Sequence, residues 1–268
     1  MQRFLVTGAN RGIGLAIAEA LVQKGAFVFL GSRDAARGEA AKQELVANNA
    51  AYAGLLEVVQ LDVTDAASIA AAAEQVASTC GEDKLAGLVN NAGGTRGMLY
   101  TTHEDWTYTM DLNYHGLVEV TKAFLPLLKH EGGRIVMVSS GAAPSFVAAC
   151  SAEKQAFFTN PAVTLEEIDA LVEEARQISS GEDSAAGFAA AGLSDGSGYG
   201  LSKASINSYA MSLAAAHPTL KVNSCTPGFI ETDLTRPMAQ SAGKTPEEMG
   251  MKTTDAVRRV IYAPACTT

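Results

Sequence analysis

Thr7-Gly8-Ala9-Asn10-Arg11-Gly12-Ile13-Gly14 follows the short apolar run Arg3 to Thr7 and opens directly into a helical pattern, Gly12 to Lys24. A glycine-rich turn between strand and helix lets backbone approach a pyrophosphate, while the helix start points unpaired N–H groups and the positive end of its dipole at the same anion. An ordinary tight turn is the plain alternative. The strand before it and the helix after it, at the head of a βαβ unit, supply the context that a nucleotide site requires.

Outward from this turn, strand-type runs at Phe27 to Gly31, Leu55 to Leu61, Leu85 to Asn90 and Arg134 to Ser139 alternate with helical patterns at Ala35 to Asn48, Ala66 to Thr79 and Trp106 to Lys129. Such alternation predicts βαβ units and a parallel sheet covered on both faces, hence an α/β, doubly wound, Rossmann-type fold. The pattern breaks at Gly141 to Gly198, which has no convincing strand. This stretch carries one amphipathic segment, Thr164 to Ile178, with Thr164 and Glu167 placed as a capping box, and ends in the glycine- and serine-rich Ser179 to Gly198. It reads as a helical insertion. Helix resumes at Tyr199 to Ala216, strand at Lys221 to Cys225 and helix at Thr254 to Ala263. No repeat or linker divides residues 1–268, so a single domain is expected.

The 268 residues are 47% apolar and 18% charged, enough to bury a large core and unlike a disordered chain. A net charge of −9 opposes the phosphate attraction on which a nucleic-acid partner depends. Cys80, Cys150, Cys225 and Cys266 are too scattered for a zinc site or a disulfide scaffold and read as buried free thiols. The four histidines have no ligand spacing, so no metal is expected. No apolar run reaches the roughly 18 to 20 residues that cross a bilayer, and Met1-Gln2-Arg3 does not lead into a secretory segment; the expectation is a cytoplasmic protein with no membrane partner.

The spacing T-G-x-x-x-G-x-G of Gly8, Gly12 and Gly14 resembles the short-chain dehydrogenase/reductase family. Further matches follow in order: Asp62-Val63, Asn90-Asn91-Ala92-Gly93, Asn113, Ser139-Ser140, Tyr199-x-x-x-Lys203 and Pro227-Gly228. The resemblance implies strand order 3-2-1-4-5-6 and hydride transfer with a nicotinamide dinucleotide. It implies pyrophosphate contacts from Gly8, Asn10, Arg11, Gly12, Ile13 and Gly14, adenosine contacts from Asp62, Val63, Asn90, Ala92 and Gly93, and carboxamide contacts from Pro227, Gly228, Ile230 and Thr232. The long stretch before Tyr199, with Gly31-Ser32-Arg33-Asp34 and Asn113-Tyr114-His115-Gly116, is similar to the monomeric carbonyl-reductase branch. That branch reduces ketones, aldehydes and quinones with NADPH, which implies a small carbonyl substrate. Relatives with a short loop here pack the Tyr-x-x-x-Lys helix against a symmetry mate. The apolar side of Thr164 to Ile178, namely Leu165, Ile168, Leu171, Val172 and Ala175, is expected to cover that face and keep the subunit a monomer, with Ser179 to Gly198 as a mobile wall of the substrate cleft.

An enzyme preferring NAD usually has an acidic side chain at the end of the second strand, to hold the adenosine ribose hydroxyls. Ser32-Arg33 stands there instead, and a guanidinium can bind the 2′-phosphate of NADP(H). Arg11 offers a second clamp, and Asp34, two residues past the acidic position, is the competing feature.

Carbonyl reduction needs a proton donor at the substrate oxygen, and a phenol of ordinary pKa near 10 is a poor acid/base at pH 7. Tyr199 and Lys203 share a helix face about 5 to 6 Å apart, so a lysine ammonium, joined by the positive charge of the oxidised nicotinamide, is placed to stabilise the phenolate. A downward shift of about three units corresponds to roughly 4 kcal/mol. The resemblance makes Tyr199 the acid/base and Lys203 also the nicotinamide-ribose contact. It makes Ser140 the group that polarises the substrate oxygen, and Asn113 the holder of a water beside the lysine. Two other readings stay open: an NADP-dependent alcohol dehydrogenase acting mainly in oxidation, and a dinucleotide sensor without turnover. The complete set Asn113, Ser140, Tyr199 and Lys203 argues against the sensor.

Overall fold

Six strands, β1 (Arg3–Val6), β2 (Phe27–Ser32), β3 (Leu56–Gln60), β4 (Gly87–Asn90), β5 (Arg134–Val138) and β6 (Lys221–Cys225), form one parallel sheet in the order β3-β2-β1-β4-β5-β6. The computed structural model describes residues 1–96 and 102–254. The inner strands β1, β2, β4 and β5 are largely apolar because both faces are covered, whereas the edge strand β6 is polar and half exposed. Register puts Leu5 beside Phe29 and Leu88, and Leu88 beside Ile135, all in one core layer. Their neighbours Val6, Val28, Leu30 and Val89 fill the opposite layer. This alternation is the period-two consequence of the pleat.

Helices α1 (Gly12–Val22), α2 (Ala35–Asn48) and α3 (Ala66–Cys80) begin close to the expected points. Asp34 caps α2 by accepting from Arg37 N at 3.1 Å, and Asp65 caps α3 by accepting from Ala67 N at 2.9 Å. The helix expected over Trp106 to Lys129 is different. It begins as α4 (His103–Met110), capped by Thr102, passes through a π-helical turn at Asp111–His115 and continues as α5 (Gly116–Phe124). It ends in a 3-10 turn, Leu125–Leu127, around Pro126, whose missing N–H cannot extend the helix. Leu128 then pairs with Leu85 beside the sheet.

Residues 141–198 hold four helices, α6 (Ala142–Ala148), α7 (Ala152–Thr159), α8 (Leu165–Ser179) and α9 (Ser184–Ala190), of which the sequence pattern exposed only α8. The Thr164–Glu167 capping box forms in both directions. Ile168, Leu171, Val172 and Ala175 are buried, and α8 packs on α4 and on α10 (Gly198–Ala216). Burial of an Ile, Leu or Val side chain stabilises by roughly 1.5 to 3 kcal/mol, so this helix is bound to the body of the fold. Ser179 to Gly198 is not the plain loop expected. It contains α9, whose Phe188 stacks on Trp106 with ring centres 6.5 Å apart. Gly196, at φ +69°, lies so close to Phe188 that an added Cβ would stand 2.0 Å from the ring.

After β6 the chain forms α11 (Arg236–Ser241) and a bridge between Ile230 and Lys252. The helix expected over Thr254 to Ala263 lies, beyond Thr254, outside the described residues. Cys80 and Cys150 are buried thiols, whereas Cys225 is only half-buried, a correction to the expected burial; Cys266 lies outside the described residues. Among the described residues no helix is long and apolar enough to cross a membrane, and no cluster of His, Cys, Asp and Glu is placed to hold a metal ion.

Candidate active site

A continuous cleft of about 1910 Å³ runs over the carboxyl ends of the strands, from the glycine turn to the start of α10. In a doubly wound sheet this edge is where ligands bind. Its floor at one end is the turn Gly8 to Gly14. Gly8 (φ +62°) and Gly12 (φ +56°) take the left-handed conformation that suits glycine. Gly14 is required for another reason: an added Cβ would stand 2.3 Å from Gly8 O. Arg11 precedes α1 with extended backbone and no side-chain cap, so the first amides of α1 remain for an anion.

Asn91 fixes this turn to β4. Its Nδ2 donates to Thr7 O at 2.8 Å and Gly8 O at 3.2 Å, while Asn91 N and Ala92 N both donate to Thr7 Oγ1. Asn90, expected as an adenosine contact, is turned the other way. Its Nδ2 donates to Thr121 Oγ1 at 2.8 Å inside the core, and Asn91, Ala92, Gly93 and Gly94 line the cleft instead. Two consecutive asparagines on a strand point to opposite faces, and sequence alone did not say which faced the ligand.

At the β2 end, Ser32 is buried and donates to Asp34 O at 2.7 Å. The Arg33 side chain is 66% exposed, with Nε 4.0 Å from Asp62 Oδ2. Asp62 Oδ1 accepts from Thr64 N and Thr64 Oγ1, and Asp62 and Val63 both line the cleft. Asp34 is engaged by its cap to α2 and by Arg37, whose Nε lies 3.5 Å from Asp34 Oδ2. Arg37, one helical turn after Asp34, also lines the cleft and was missed in sequence. Arg11 pairs with Asp233, which ties the glycine turn to the loop after β6. Asn10, Gly12 and Ile13 line the cleft there, opposite Pro227, Gly228, Ile230 and Thr232. Thr232 Oγ1 lies 3.2 Å from Thr235 Oγ1.

At the far end Ser140, Tyr199 and Lys203 come together. Helix α10 is capped by Ser197, which accepts from Gly200 N at 3.2 Å, so the helix starts just before Tyr199 and aims it into the cleft. Ser140, just past β5, lines the cleft with Tyr199, and its Oγ accepts from Ala142 N at 3.2 Å. Lys203 is 6% exposed, and its Nζ donates to Val138 O at 3.0 Å and lies 5.6 Å from the centre of the Tyr199 ring. Burial pushes the Lys203 ammonium down to about 8. In the chain by itself burial raises the Tyr199 pKa, and the neighbouring Ser140 hydroxyl opposes this. Ser139 is structural, donating to Lys203 O at 3.3 Å.

Asn113, expected to hold a water beside the lysine, lies at the cleft floor near Lys203. It is 1% exposed, at the centre of the π turn, and its Nδ2 donates to Gly94 O at 2.9 Å and Ser202 Oγ at 3.1 Å. Both amide protons are thereby used. Its Oδ1 accepts from Gly94 N at 2.8 Å, so the side chain clamps the Gly93–Gly94 segment to α10.

The sequence profile of the short chain dehydrogenase family matches residues 2–159. The chain belongs to the short-chain dehydrogenase/reductase family. These oxidoreductases use a nicotinamide dinucleotide. Within the family, the chain resembles carbonyl reductases. It is 35% identical over 259 residues to (+)-neomenthol dehydrogenase of Arabidopsis thaliana, covering 86% of this chain and 83% of that one. It is 34% identical over 253 residues to carbonyl reductase [NADPH] 1 of Homo sapiens, covering 91% and 86%. Among solved structures it is similar to salutaridine reductase from Papaver somniferum, with TM-score 0.79, 26% identity and coverage of 100% of this chain and 96% of that one. The dinucleotide of the family fits the cleft: a left-handed glycine turn with no room for a Cβ at Gly14, uncapped amides at α1 and cationic side chains at the β2 end.

Proposed function

We propose that this chain reduces the carbonyl of a small apolar ketone, aldehyde or quinone to the alcohol with NADPH, and that Tyr199 gives the proton. The observation that carries the reading is the half-buried Tyr199, next to Lys203 and, with Ser140, at one end of a cleft whose other end holds Arg33 and Arg37. NADPH, when bound, supplies the hydride to the carbonyl carbon.

Every other step falls to the chain. The turn from Gly8 to Gly14 and the start of α1 hold the pyrophosphate. Arg33 and Arg37 hold the 2′-phosphate by charge-assisted hydrogen bonds, a preference for NADP that Asp34 does not oppose because it caps α2 and pairs with Arg37. Ser140 donates to the substrate oxygen and orients it. A phenol is protonated at pH 7, so Tyr199 holds the proton that the alkoxide oxygen takes up. Lys203, charged below about pH 8, stabilises the phenolate that forms and holds the nicotinamide ribose.

The substrate end is walled by Tyr108, Ala185, Phe188, Phe229, Leu234 and Met238. Phe229 and Leu234 are among the few large apolar side chains left exposed, which supports an apolar substrate. Helix α8 covers α4 and α10, which supports a monomer. The test is NADPH oxidation, followed at the absorbance of the reduced nicotinamide, against quinones, aromatic aldehydes and cyclic ketones. Turnover with at least one class is expected. Tight NADPH binding with no turnover on any of them would favour the sensor.

A further inference from the structure

Tyr114 is fully buried, and its hydroxyl donates to Asp169 Oδ1 at 2.6 Å. Asp169 belongs to α8, in the segment between β5 and α10, whereas Tyr114 belongs to the π turn that carries Asn113. We propose that this bond makes Tyr114 a positioning residue, through which α8 sets the π turn and hence the Asn113, Gly93 and Lys203 arrangement. The proposal rests on the carbonyl-reductase reading of the site.

A π turn is a rare, single-turn departure from the α-helix, found most often where function requires it, and it needs support from outside the helix. Here support comes from two sides. Gly116, at the end of the turn, packs so tightly on β3's exit that an added Cβ would stand 2.5 Å from Val63 O. On the other side Tyr114 reaches Asp169, and its ring meets His115 with centres 5.1 Å apart. Between these anchors Asn113 projects toward the cleft floor. A Cβ on Gly93 would stand 2.9 Å from Asn113 Oδ1 and 3.5 Å from Lys203 Nζ, so the clamp and the ammonium converge on the same point. Without the Tyr114 bond, the turn is free to relax to α-helix, which would rotate Asn113 away from Gly94. A second tether, His103 Nδ1 to Ser179 Oγ at 2.8 Å, holds the end of α8. Ser179 spends its only proton on Arg176 O, so His103 Nδ1 is the donor.

The test uses the full chain and four proteins: wild type, Tyr114→Phe, Asp169→Asn and Asp169→Ala. The readouts are kcat and KM for NADPH-dependent quinone reduction, NADPH affinity, melting temperature and amide hydrogen exchange at Gly94. Asn keeps the Oδ1 acceptor, so D169N is expected within about threefold of wild type, while Y114F and D169A lose about tenfold in kcat, in line with a hydrogen bond to a charged group. KM and NADPH affinity should stay within about twofold, and Gly94 exchange should quicken about tenfold in Y114F and D169A on the same scale. Three results would each overturn the proposal: unchanged kcat in Y114F, a lower melting temperature with Gly94 exchange unchanged, or D169N as impaired as D169A. If the wild type reduces no carbonyl, the functional reading fails, and Gly94 exchange still decides whether Tyr114 sets the turn. Should Y114F not fold, the two Asp169 variants carry the same comparison.

Discussion

Lys203 Nζ lies 5.6 Å from the centre of the Tyr199 ring and donates to Val138 O at 3.0 Å, so the ammonium is fixed to the end of β5 beside the phenol. Burial on this scale disfavours the charge and lowers Lys203 to about 8. The charged form, which the proposed reaction uses, therefore persists below about pH 8 and is lost above it. We predict that kcat/KM for reduction is level up to about pH 8 and then falls roughly tenfold per unit, since this ratio reports the free enzyme. A profile flat to pH 10 would show that the Lys203 charge is not used.

Cofactor choice depends on Arg33 and Arg37. Arg33→Asp removes one phosphate partner and adds a ribose-hydroxyl acceptor, so NADPH affinity should drop roughly ten- to hundredfold and NADH should gain relative to it. Arg37→Ala should weaken NADPH without helping NADH. Equal NADPH to NADH ratios of kcat/KM in wild type and both variants would mean that other residues decide.

Gly14→Ala tests the phosphate turn. The new Cβ would sit 2.3 Å from Gly8 O and 2.5 Å from Asn91 Nδ2, so backbone must move. Overpacking of this kind costs typically about 1 to 3 kcal/mol and here falls on the cofactor floor. A lower melting temperature and at least tenfold weaker NADPH binding are expected; titration fluorescence matching wild type would refute the turn's role.

Light scattering should give a monomer at micromolar concentration, because α8 lies over α4 and α10. Phe188→Ala should change KM across the carbonyl panel, since Phe188 both lines the cleft and stacks on Trp106. A stable dimer would refute the first expectation, and unchanged KM values the second.

The sheet was legible because β1, β2, β4 and β5 are covered on both faces, so continuous apolar runs separated by small polar residues could mean little else. Tyr199 and Lys203 were legible as a pair because a spacing of four puts them on one helix face, while Ser140 was reached through the family resemblance. Asn90 was misplaced because strand alternation fixes that Asn90 and Asn91 point apart without fixing which meets the cleft. The π turn gave no signal, as its cause is tertiary: Gly116 against Val63 and Tyr114 against Asp169. Helices α6, α7 and α9 are short and weakly patterned, so nothing in their periodicity separated them from loop.

The central claim is that Tyr199 is the acid in a carbonyl reduction. The most direct measurement is a single turnover with NADPH deuterated at the transferring carbon, in wild type and Tyr199→Phe, with cofactor binding checked in parallel. The wild type should place deuterium on the carbinol carbon of the product. Tyr199→Phe should bind NADPH as tightly and transfer deuterium roughly 10² to 10⁴ times more slowly. Transfer at the wild-type rate in Tyr199→Phe, with NADPH still bound, would contradict the account.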